Sequence, residues 1–297
     1  MTRNQILCAL ALLMFAALSA NAQNDPVRVI AFGAHPDDCD LKAGGLAAKF
    51  AAMGHKVKFV SLTNGDAGHQ SQGGGQLAVR RRAEAQEAGR RIGIEYEVLE
   101  NHDGRLLPTL DVRDQVIREI RQWKADVVIG PRPNDYHRDH RYTGVLVQDA
   151  SYMVIVPNIV SDTPALRRNP VFLYYSDRFT QPQVFRADIV VSIDDVYQKK
   201  IEMLDAQVSQ FYEWLPWTAG KLDEVPKDPA ARKTWLVTQP MVVNNSSVKP
   251  EWRDTLEKLY AAGASRIQHA EAFEIAEYGR RPTEDEIRKL FPFFPAK

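Results

Sequence analysis

Short apolar segments alternate with amphipathic ones in the first half of the chain, and this alternation limits the fold more than any other feature. The runs at residues 27–33, 56–62 and 126–130 are short, β-branched and bounded by turn residues, which predicts strands. Residues 76–92 and 112–123 carry apolar side chains at helical spacing. Because strand, helix and strand in this order form parallel sheets, we predict an α/β fold: a Rossmann-like, doubly wound, mostly parallel sheet flanked by helices.

Further elements follow this region, with a less regular rhythm. Apolar runs at residues 171–175 and 188–193 predict two more strands, and residues 196–211 predict a helix. The last part of the chain is richer in Pro, Trp and charged residues, and its path is not evident from the pattern. We predict one domain over residues 23–215 and a C-terminal extension over residues 216–297 that packs on the same domain.

The N-terminus has the layout of a secretory signal peptide. Arg3 precedes an apolar run over residues 6–18, and small residues end this segment at Ala22. The alternative is a membrane anchor, but the run is shorter than the roughly 20 residues that span a bilayer. We therefore predict a signal peptide over residues 1–22 and an exported protein, periplasmic or secreted, with no membrane span after cleavage.

The charge balance and the cysteine count exclude some classes of protein. Lys and Arg together number 38, the same as Asp and Glu, and they are scattered, unlike the basic patch of a nucleic-acid-binding protein. We expect a neutral small molecule as the partner, and homo-oligomerisation stays open. Cleavage of the signal peptide would leave Cys39 as the single cysteine, which excludes an internal disulfide.

Two clusters of polar side chains follow predicted strands. His35, Asp37 and Asp38 come directly after the first strand, and His137, Asp139 and His140 come shortly after the strand at residues 126–130. Ligands bind at the carboxyl ends of strands in an open parallel sheet, so both clusters fall where a site is expected.

Two imidazoles and one carboxylate from such turns would suit zinc, with room left for water. The plainer alternative is that the carboxylates cap helices and the histidines are ordinary polar residues, as each would be in isolation. The pairing of the two clusters favours the metal site.

These motifs also resemble those of a known family. Residues 34–38 (AHPDD), residues 137–140 (HRDH) and the glycine pair at 44–45 are similar to the PIG-L/LmbE-like zinc deacetylases, and the resemblance covers roughly residues 27–154. It implies that His35, Asp38 and His140 hold Zn²⁺ and that Asp37 is the general base.

The same resemblance assigns the remaining motif residues and marks two departures. It implies that His137 stabilises the oxyanion or acts as general acid, and that Asp139 orients the His137 imidazole and raises its pKa. Many members carry Glu where this chain has Cys39, which is either a packed, inert residue or an occasional ligand. Some relatives place Tyr where this chain has Asp135, with Tyr136 adjoining.

Substrate contacts are expected from residues near these motifs. We predict Arg81, Asn64, Asp66 and Tyr136 as substrate-binding residues; a solvated helix face is the alternative for Arg81. The glycine-rich residues 68–75 lack the spacing of a phosphate loop and suggest a flexible lid.

The predicted activity is zinc-dependent hydrolysis of an N-acetyl amide on a small amino sugar or glycoconjugate. Two alternatives stay open: a metal-dependent esterase or phosphoesterase, and a non-catalytic sugar-binding protein of the same fold. Asp37 and His137 argue against the second, because binding alone needs neither a base nor an acid.

Overall fold

The computed structural model describes residues 25–295. The predicted signal peptide at residues 1–22 lies outside the described residues. The strands are β1 Arg28–Gly33, β2 Lys56–Thr63, β3 Glu95–Asn101, β4 Val127–Gly130, β5 Val171–Tyr175, β6 Ile189–Ser192 and β7 Ala270–Gly279. The α-helices are α1 Asp38–Ala52, α2 Gly74–Ile92, α3 Leu110–Trp123, α4 Arg138–Met153, α5 Tyr197–Ala206, α6 Leu215–Thr218, α7 Pro229–Leu236, α8 Pro240–Asn244, α9 Arg253–Tyr260 and α10 Glu284–Leu290.

These strands form one seven-stranded sheet in the order β3-β2-β1-β4-β5-β7-β6. Strands β1 to β5 run parallel, whereas β7 is antiparallel to both of its neighbours. The chain reverses its direction of winding between β1 and β4, so their carboxyl ends border a crevice. The predicted α/β fold with a mostly parallel sheet is confirmed.

Helices cover both faces of the sheet, which explains why the sequences of its central strands are continuous apolar runs. Helices α1, α2 and α5 pack together on one face, and α3 and α4 pack together on the other. Helix α3 shows why these helices pack on the sheet: Val116, Ile117 and Ile120 form an apolar stripe, and all three are fully buried. Each buried aliphatic side chain of this kind contributes roughly 1.5–3 kcal/mol.

The predicted extension enters the sheet rather than only packing on it. Strand β7 inserts between β5 and β6, although β6 precedes it in the chain. Its buried Glu271 accepts hydrogen bonds from the amides of Gly45 at 2.9 Å and Leu46 at 2.7 Å, and from Lys200 Nζ at 2.8 Å. The end of the chain is thereby joined to α1, the helix that follows the first motif.

The predicted helix at residues 196–211 is divided. Helix α5 ends at Ala206, and a π-helix, Ser209–Trp214, follows it and leads directly into α6. This wider turn brings Phe211 and Trp214 to the cavity described below. Within residues 25–295, no helix combines the length and apolar character needed to cross a membrane.

Candidate active site

The turn between β1 and α1 is tight because Gly33 has no side chain. A Cβ atom at this position would lie 2.8 Å from Asp38 Cβ and 3.2 Å from Cys39 Sγ. In the turn, Asp38 Oδ2 accepts hydrogen bonds from the amides of Ala34 at 2.8 Å and His35 at 2.9 Å. These bonds fix the carboxylate and leave its other oxygen, Oδ1, facing the second motif.

That second motif forms the turn between β4 and α4. His137 caps the helix, since its Nδ1 accepts a hydrogen bond from the Asp139 amide at 3.2 Å. Asp135 Oδ1 accepts the His137 amide at 2.8 Å and lies 3.1 Å from His140 Nδ1. The opposite nitrogen, His140 Nε2, is 3.4 Å from Asp38 Oδ1.

A third loop, which follows β3, completes the cluster. Asp103 Oδ1 lies 3.0 Å from His35 Nε2, and Asp139 Oδ2 lies 3.5 Å from the same nitrogen. The imidazole N–H is not aligned with either oxygen well enough for a hydrogen bond, so these contacts are electrostatic. The Asp139 carboxylate also accepts the Gly104 amide at 2.6 Å, which joins the third loop to the second motif.

The donor set formed by His35, Asp38 and His140 fits a metal ion. His35 Nδ1 lies 3.6 Å from Asp38 Oδ2, and the histidines at 35, 137 and 140 offer ligand atoms within 4.8 Å of one another. His35 and His140 each turn the opposite ring nitrogen toward a carboxylate, which is how proteins orient metal-binding imidazoles. Two imidazoles and a carboxylate, so arranged, can hold zinc.

A second group can be drawn around the same histidine. Ligand atoms of His35, Asp103 and Asp139 also lie within 4.8 Å of one another. Both carboxylates face the Nε2 side of the ring, whereas Asp38 faces the Nδ1 side. Asp103 and Asp139 therefore suit the role of electrostatic partners that orient His35.

The protonation states show that this cluster favours positive charge. Burial lowers the pKa of His35, but Asp103, Asp139 and Asp38 raise it more, and the result is a pKa well above the ordinary value. Burial likewise lowers the pKa of His140, yet Asp38 and Asp135 raise it to about 9. Carboxylates that stabilise two imidazolium ions can equally stabilise a bound cation in place of the protons.

Asp37 and Arg81 form a buried pair beside the donor set. Arg81 is only 2% exposed; its Nη2 donates to Asp37 Oδ1 at 3.3 Å and its Nη1 lies 3.6 Å from Asp103 Oδ2. Burial raises the pKa of Asp37, and the positive charge of Arg81 opposes this rise. The predicted substrate-binding residue Arg81 lines the cavity, but its guanidinium is directed to these two carboxylates.

The expected contact between Asp139 and the His137 ring is not the one observed. The backbone amide of Asp139, and not its carboxylate, meets the ring, because His137 is the helix cap and the carboxylate turns toward Gly104 and His35. The pKa of His137 is lowered, mainly by burial and then by the charges of His35 and His140. With Nδ1 accepting a hydrogen bond, the neutral ring carries its proton on Nε2.

The other predicted substrate contacts divide into two groups. Tyr136 is 76% exposed and stands at the rim of the cavity, near the rings of His137 and His140. Asn64 and Asp66 do not line it. The Asn64 side chain accepts the Asp66 amide in a local turn, and Asp66 accepts the Asp103 amide at 3.0 Å. Their role is to build the loop that carries Asp103.

Cys39 points away from the donor set. Its Sγ lies 3.4 Å from the Ala31 carbonyl oxygen and 3.3 Å from the Tyr175 hydroxyl, in a fully buried position. Burial raises the pKa of the thiol well above its ordinary value. A neutral, packed cysteine agrees with the inert alternative.

A cavity of about 730 Å³ opens over these residues. This volume is in the usual range for small-molecule sites. Its lining includes apolar side chains from the later part of the chain, among them Phe211, Trp214, Leu215 and Met241. It also includes four cationic side chains, Lys42, Arg81, Arg178 and Lys249.

Comparisons with known proteins find likenesses in sequence and in fold. The family described as PIG-L, GlcNAc-PI de-N-acetylase, matches residues 30–151. The diacetylchitobiose deacetylase of Thermococcus kodakarensis is 30% identical over 207 residues, which is 65% of this chain and 74% of that protein.

Two solved structures share the fold. The N,N'-diacetylchitobiose deacetylase of Pyrococcus horikoshii has a TM-score of 0.62 and 23% identity, with 93% of each chain covered. A 4-carboxy-2-hydroxymuconate hydratase from Pseudomonas putida has a TM-score of 0.61 and 19% identity, with 87% of this chain and 99% of that one covered. At these identities the likeness shows the fold alone, and one of the two catalyses a different reaction.

Proposed function

Because this chain belongs to the PIG-L family of de-N-acetylases, we propose that it is a zinc-dependent N-deacetylase that hydrolyses the N-acetyl amide of an amino sugar or glycoconjugate. The observation that carries this proposal is the convergence of His35, Asp38 and His140 beside Asp37 and His137 in one cavity. Deacetylation of diacetylchitobiose by the Thermococcus relative supports the substrate class.

His35, Asp38 and His140 would hold the zinc ion, which when bound supplies a Lewis acid for the acetamide carbonyl and makes a water molecule more acidic. Asp37 is suited to take the proton from the attacking water. Its pKa is raised by burial, which increases its strength as a base, and Arg81 limits the rise so that the carboxylate form is still available. The hydrogen bond from Arg81 also fixes the direction of the carboxylate.

His137 is suited to stabilise the oxygen of the acetamide as negative charge develops on it. Its Nδ1 is occupied by the Asp139 amide, so the N–H of Nε2 is the group available to a substrate. A neutral imidazole can donate this hydrogen bond, and such donors act strongly in a site that excludes water. A neutral imidazole N–H is too weak an acid to protonate the leaving amine, so the proton that Asp37 takes from the attacking water would pass to this amine.

The alternatives predict different substrates. An esterase would use the same groups on an ester, and a phosphoesterase would favour a second metal ion. A sugar-binding protein would need no base. We further propose that the protein acts outside the cytoplasm after removal of residues 1–22; a mature N-terminus at Gln23, found by mass spectrometry of the exported protein, would support this.

The test measures zinc content and acetate release together. We expect one zinc ion per chain and release of acetate from N,N'-diacetylchitobiose. Asp37→Ala should keep the metal and lower kcat by about 10²–10⁴-fold, the usual contribution of a general base. Asp223→Ala, an exposed carboxylate in a short 3₁₀ helix, is the control and should match the unmodified protein.

Two results would overturn the proposal. One is the absence of bound metal in protein purified without chelator. The other is hydrolysis of p-nitrophenyl acetate or p-nitrophenyl phosphate without any acetate from N-acetylated sugars, which would favour the esterase or phosphoesterase.

A further inference from the structure

Two polar side chains of the π-helix reach the cavity with hydrogen-bonding capacity that the protein does not use. The π-helix Ser209–Trp214 contributes Gln210, Phe211 and Trp214 to the lining of the cavity. Gln210 is only 2% exposed, and an unpaired polar atom on so buried a side chain destabilises the fold unless another group meets it. Helical turns of this wide type occur frequently at functional sites.

The side-chain amide of Gln210 is held in one orientation. Its Nε2 donates to the Gly68 carbonyl oxygen at 3.1 Å and to Ser209 Oγ at 3.2 Å. Ser209 Oγ in turn donates its proton to Glu84 Oε2, so the hydroxyl oxygen is free to accept from the amide. Because a backbone carbonyl can only accept, the NH₂ group of Gln210 and not its oxygen must face Gly68.

The carbonyl oxygen of the same amide is an unused acceptor. Within residues 25–295, no group donates a hydrogen bond to Gln210 Oε1, and this oxygen is not sealed from solvent. Since Gln210 lines the cavity, the oxygen is open toward it. An O–H or N–H group of a bound molecule can satisfy this acceptor, whereas an anion would be repelled by it.

Trp214 supplies a donor close to this acceptor. Its Nε1 has no hydrogen-bond acceptor in the part of the chain that the structure describes. A Cβ atom built on Gly68 would lie 3.9 Å from Nε1, so the indole N–H lies beside the residue that Gln210 binds. The Trp214 ring stacks on Trp217 with 5.2 Å between centroids and 17° between planes, which restricts its rotation.

Gly68 places this pair on the side of the cavity that contains Asp37. A Cβ atom on Gly68 would lie 3.0 Å from Arg81 Nη1 and 3.2 Å from Asp103 Oδ2, so the missing side chain lets this segment pack against both. Arg81 in turn donates to Asp37. The two unused groups therefore lie near the proposed general base, where the sugar that carries the acetamide is expected.

The π-helix is fixed to α2, so the pair is preorganised. Glu84 Oε1 accepts the Ser209 amide at 3.1 Å, and Glu213 accepts two hydrogen bonds from Arg80, each of 2.7 Å. These contacts anchor both ends of the π-helix. Little further ordering is then required when a substrate binds, which favours affinity and selectivity.

We propose that Gln210 and Trp214 are specificity-determining residues that bind hydroxyl groups of the N-acetylated sugar, which rests on the proposed function. A hydroxyl group both donates and accepts, so it matches one free acceptor and one free donor. Gln210 Oε1 accepts from a ring hydroxyl, and Trp214 Nε1 donates to the same hydroxyl or to its neighbour. A sugar that lacks this hydroxyl leaves a buried group unpaired and binds more weakly.

Four methyl β-glycosides test this assignment. They are the glycoside of N-acetylglucosamine and its 3-deoxy, 4-deoxy and 6-deoxy analogues, each of which lacks one hydroxyl. Dissociation constants are measured by calorimetry with zinc-loaded Asp37→Asn protein, which avoids turnover. We expect at least one deoxy analogue to bind about tenfold more weakly than the parent glycoside, the usual effect of a buried polar group left unpaired.

Variants then assign this ratio to the pair. Gln210→Met keeps an unbranched side chain and should bring the ratio close to one, because the parent glycoside loses its contact and the deoxy analogue has none to lose. Trp214→Phe keeps the aromatic ring, removes only the donor, and should reduce the ratio for the analogue that lacks its partner. This second variant also serves if Gln210→Met does not fold.

Gln207→Met is the matched control. Gln207 is fully buried just before the π-helix and donates to Asp40 Oδ1 at 3.1 Å, but it does not line the cavity. Its loss should leave all the ratios unchanged, since a purely structural defect weakens the four glycosides equally.

Unchanged ratios in the pair variants that fold would overturn the assignment, as would equal affinity for all four glycosides or no measurable binding of the parent. Acetate release from the parent glycoside by the unmodified protein tests the proposed function separately. Release of acetate with equal affinity for the four glycosides would leave the deacetylase standing and remove only the role of Gln210 and Trp214.

Discussion

Asp135 contacts both imidazoles of the second motif: its Oδ1 accepts the backbone amide of His137 and lies 3.1 Å from Nδ1 of His140. The first contact shapes the turn that precedes α4. The second fixes the proton of His140 on Nδ1 and directs Nε2 toward Asp38. A residue outside the proposed ligand set can therefore set the geometry of the metal site.

The first prediction concerns this residue. Asp135→Ala should weaken zinc binding by about 10–100-fold, the usual effect of removing the carboxylate behind a metal-binding histidine. The measurement is a competition titration with a zinc chelator. Asp149→Ala, exposed on α4, is the control, and an unchanged zinc affinity in Asp135→Ala would show that His140 needs no such support.

A second prediction concerns the pH profile. Arg81 lowers the pKa of Asp37 and burial raises it, so Arg81→Met should raise this pKa further. Since the base acts when deprotonated, the acidic limb of kcat/KM should move to higher pH. Arg82→Met, which removes a surface pair with Glu100, should leave the limb in place. Movement of the limb to lower pH in Arg81→Met would contradict the pairing.

A third prediction concerns the glycine-rich segment. Glu213 of the π-helix lies 2.8 Å from His69 Nε2 and accepts from Arg80 at 2.7 Å, so it ties residues 68–75 to the later part of the chain. These contacts, with Arg80 first, lower the pKa of Glu213. Glu213→Gln should reduce the free energy of unfolding at neutral pH by about 1 kcal/mol, a small value because solvent screens the pair.

The pH dependence of this loss follows from the direction of the shift. A carboxyl group with a lowered pKa stabilises the fold above its ordinary pKa, and the effect is lost as pH falls through the lowered value. The difference between Glu213→Gln and the unmodified protein should therefore shrink as the pH falls below the ordinary pKa of a glutamate, measured by urea unfolding with chelator present. Exposed Glu224→Gln is the control, and a difference that grows on acidification would refute the assignment.

A fourth prediction compares two glycines. A Cβ at Gly45 would lie 2.6 Å from Ile193 Cγ2, whereas one at Gly75 would meet nothing within 4 Å. Gly45→Ala should destabilise the protein by about 1–3 kcal/mol through overpacking, and Gly75→Ala should stabilise it by up to about 1 kcal/mol. Thermal unfolding of both variants decides this; equal melting temperatures would show that α1 can shift away from Ile193.

The sequence predicts strands β1, β4 and β5 well because they are buried on both faces and contain few charges. Strand β7 escapes detection because Glu271 and Glu274 interrupt its apolar pattern, and both carboxylates are buried. The groups that stabilise the buried carboxylate of Glu271, such as Lys200 and the amide of Gly45, are remote in sequence. A pattern of local hydrophobicity cannot reveal such compensation.

The site was predictable to a similar extent. The two motifs identify the residues that converge, but Asp103 lies in a third loop that carries no motif. A usable signal exists, since this loop also follows the carboxyl end of a parallel strand, β3. The direction of the Asp139 side chain could not be read from sequence, because it depends on the amide of Gly104.

The insertion of β7 has a consequence for the order in which the protein assembles during synthesis. Strand β6 has β7 as its sheet neighbour, and β7 follows it by more than seventy residues in the chain, so β6 cannot join the sheet until Ala270–Gly279 has left the ribosome. Pairings between segments so far apart in sequence form slowly. A chain interrupted before this strand would carry both histidine motifs but would lack the support that Glu271 gives to α1. The site is therefore fully supported only after β7 has been synthesised.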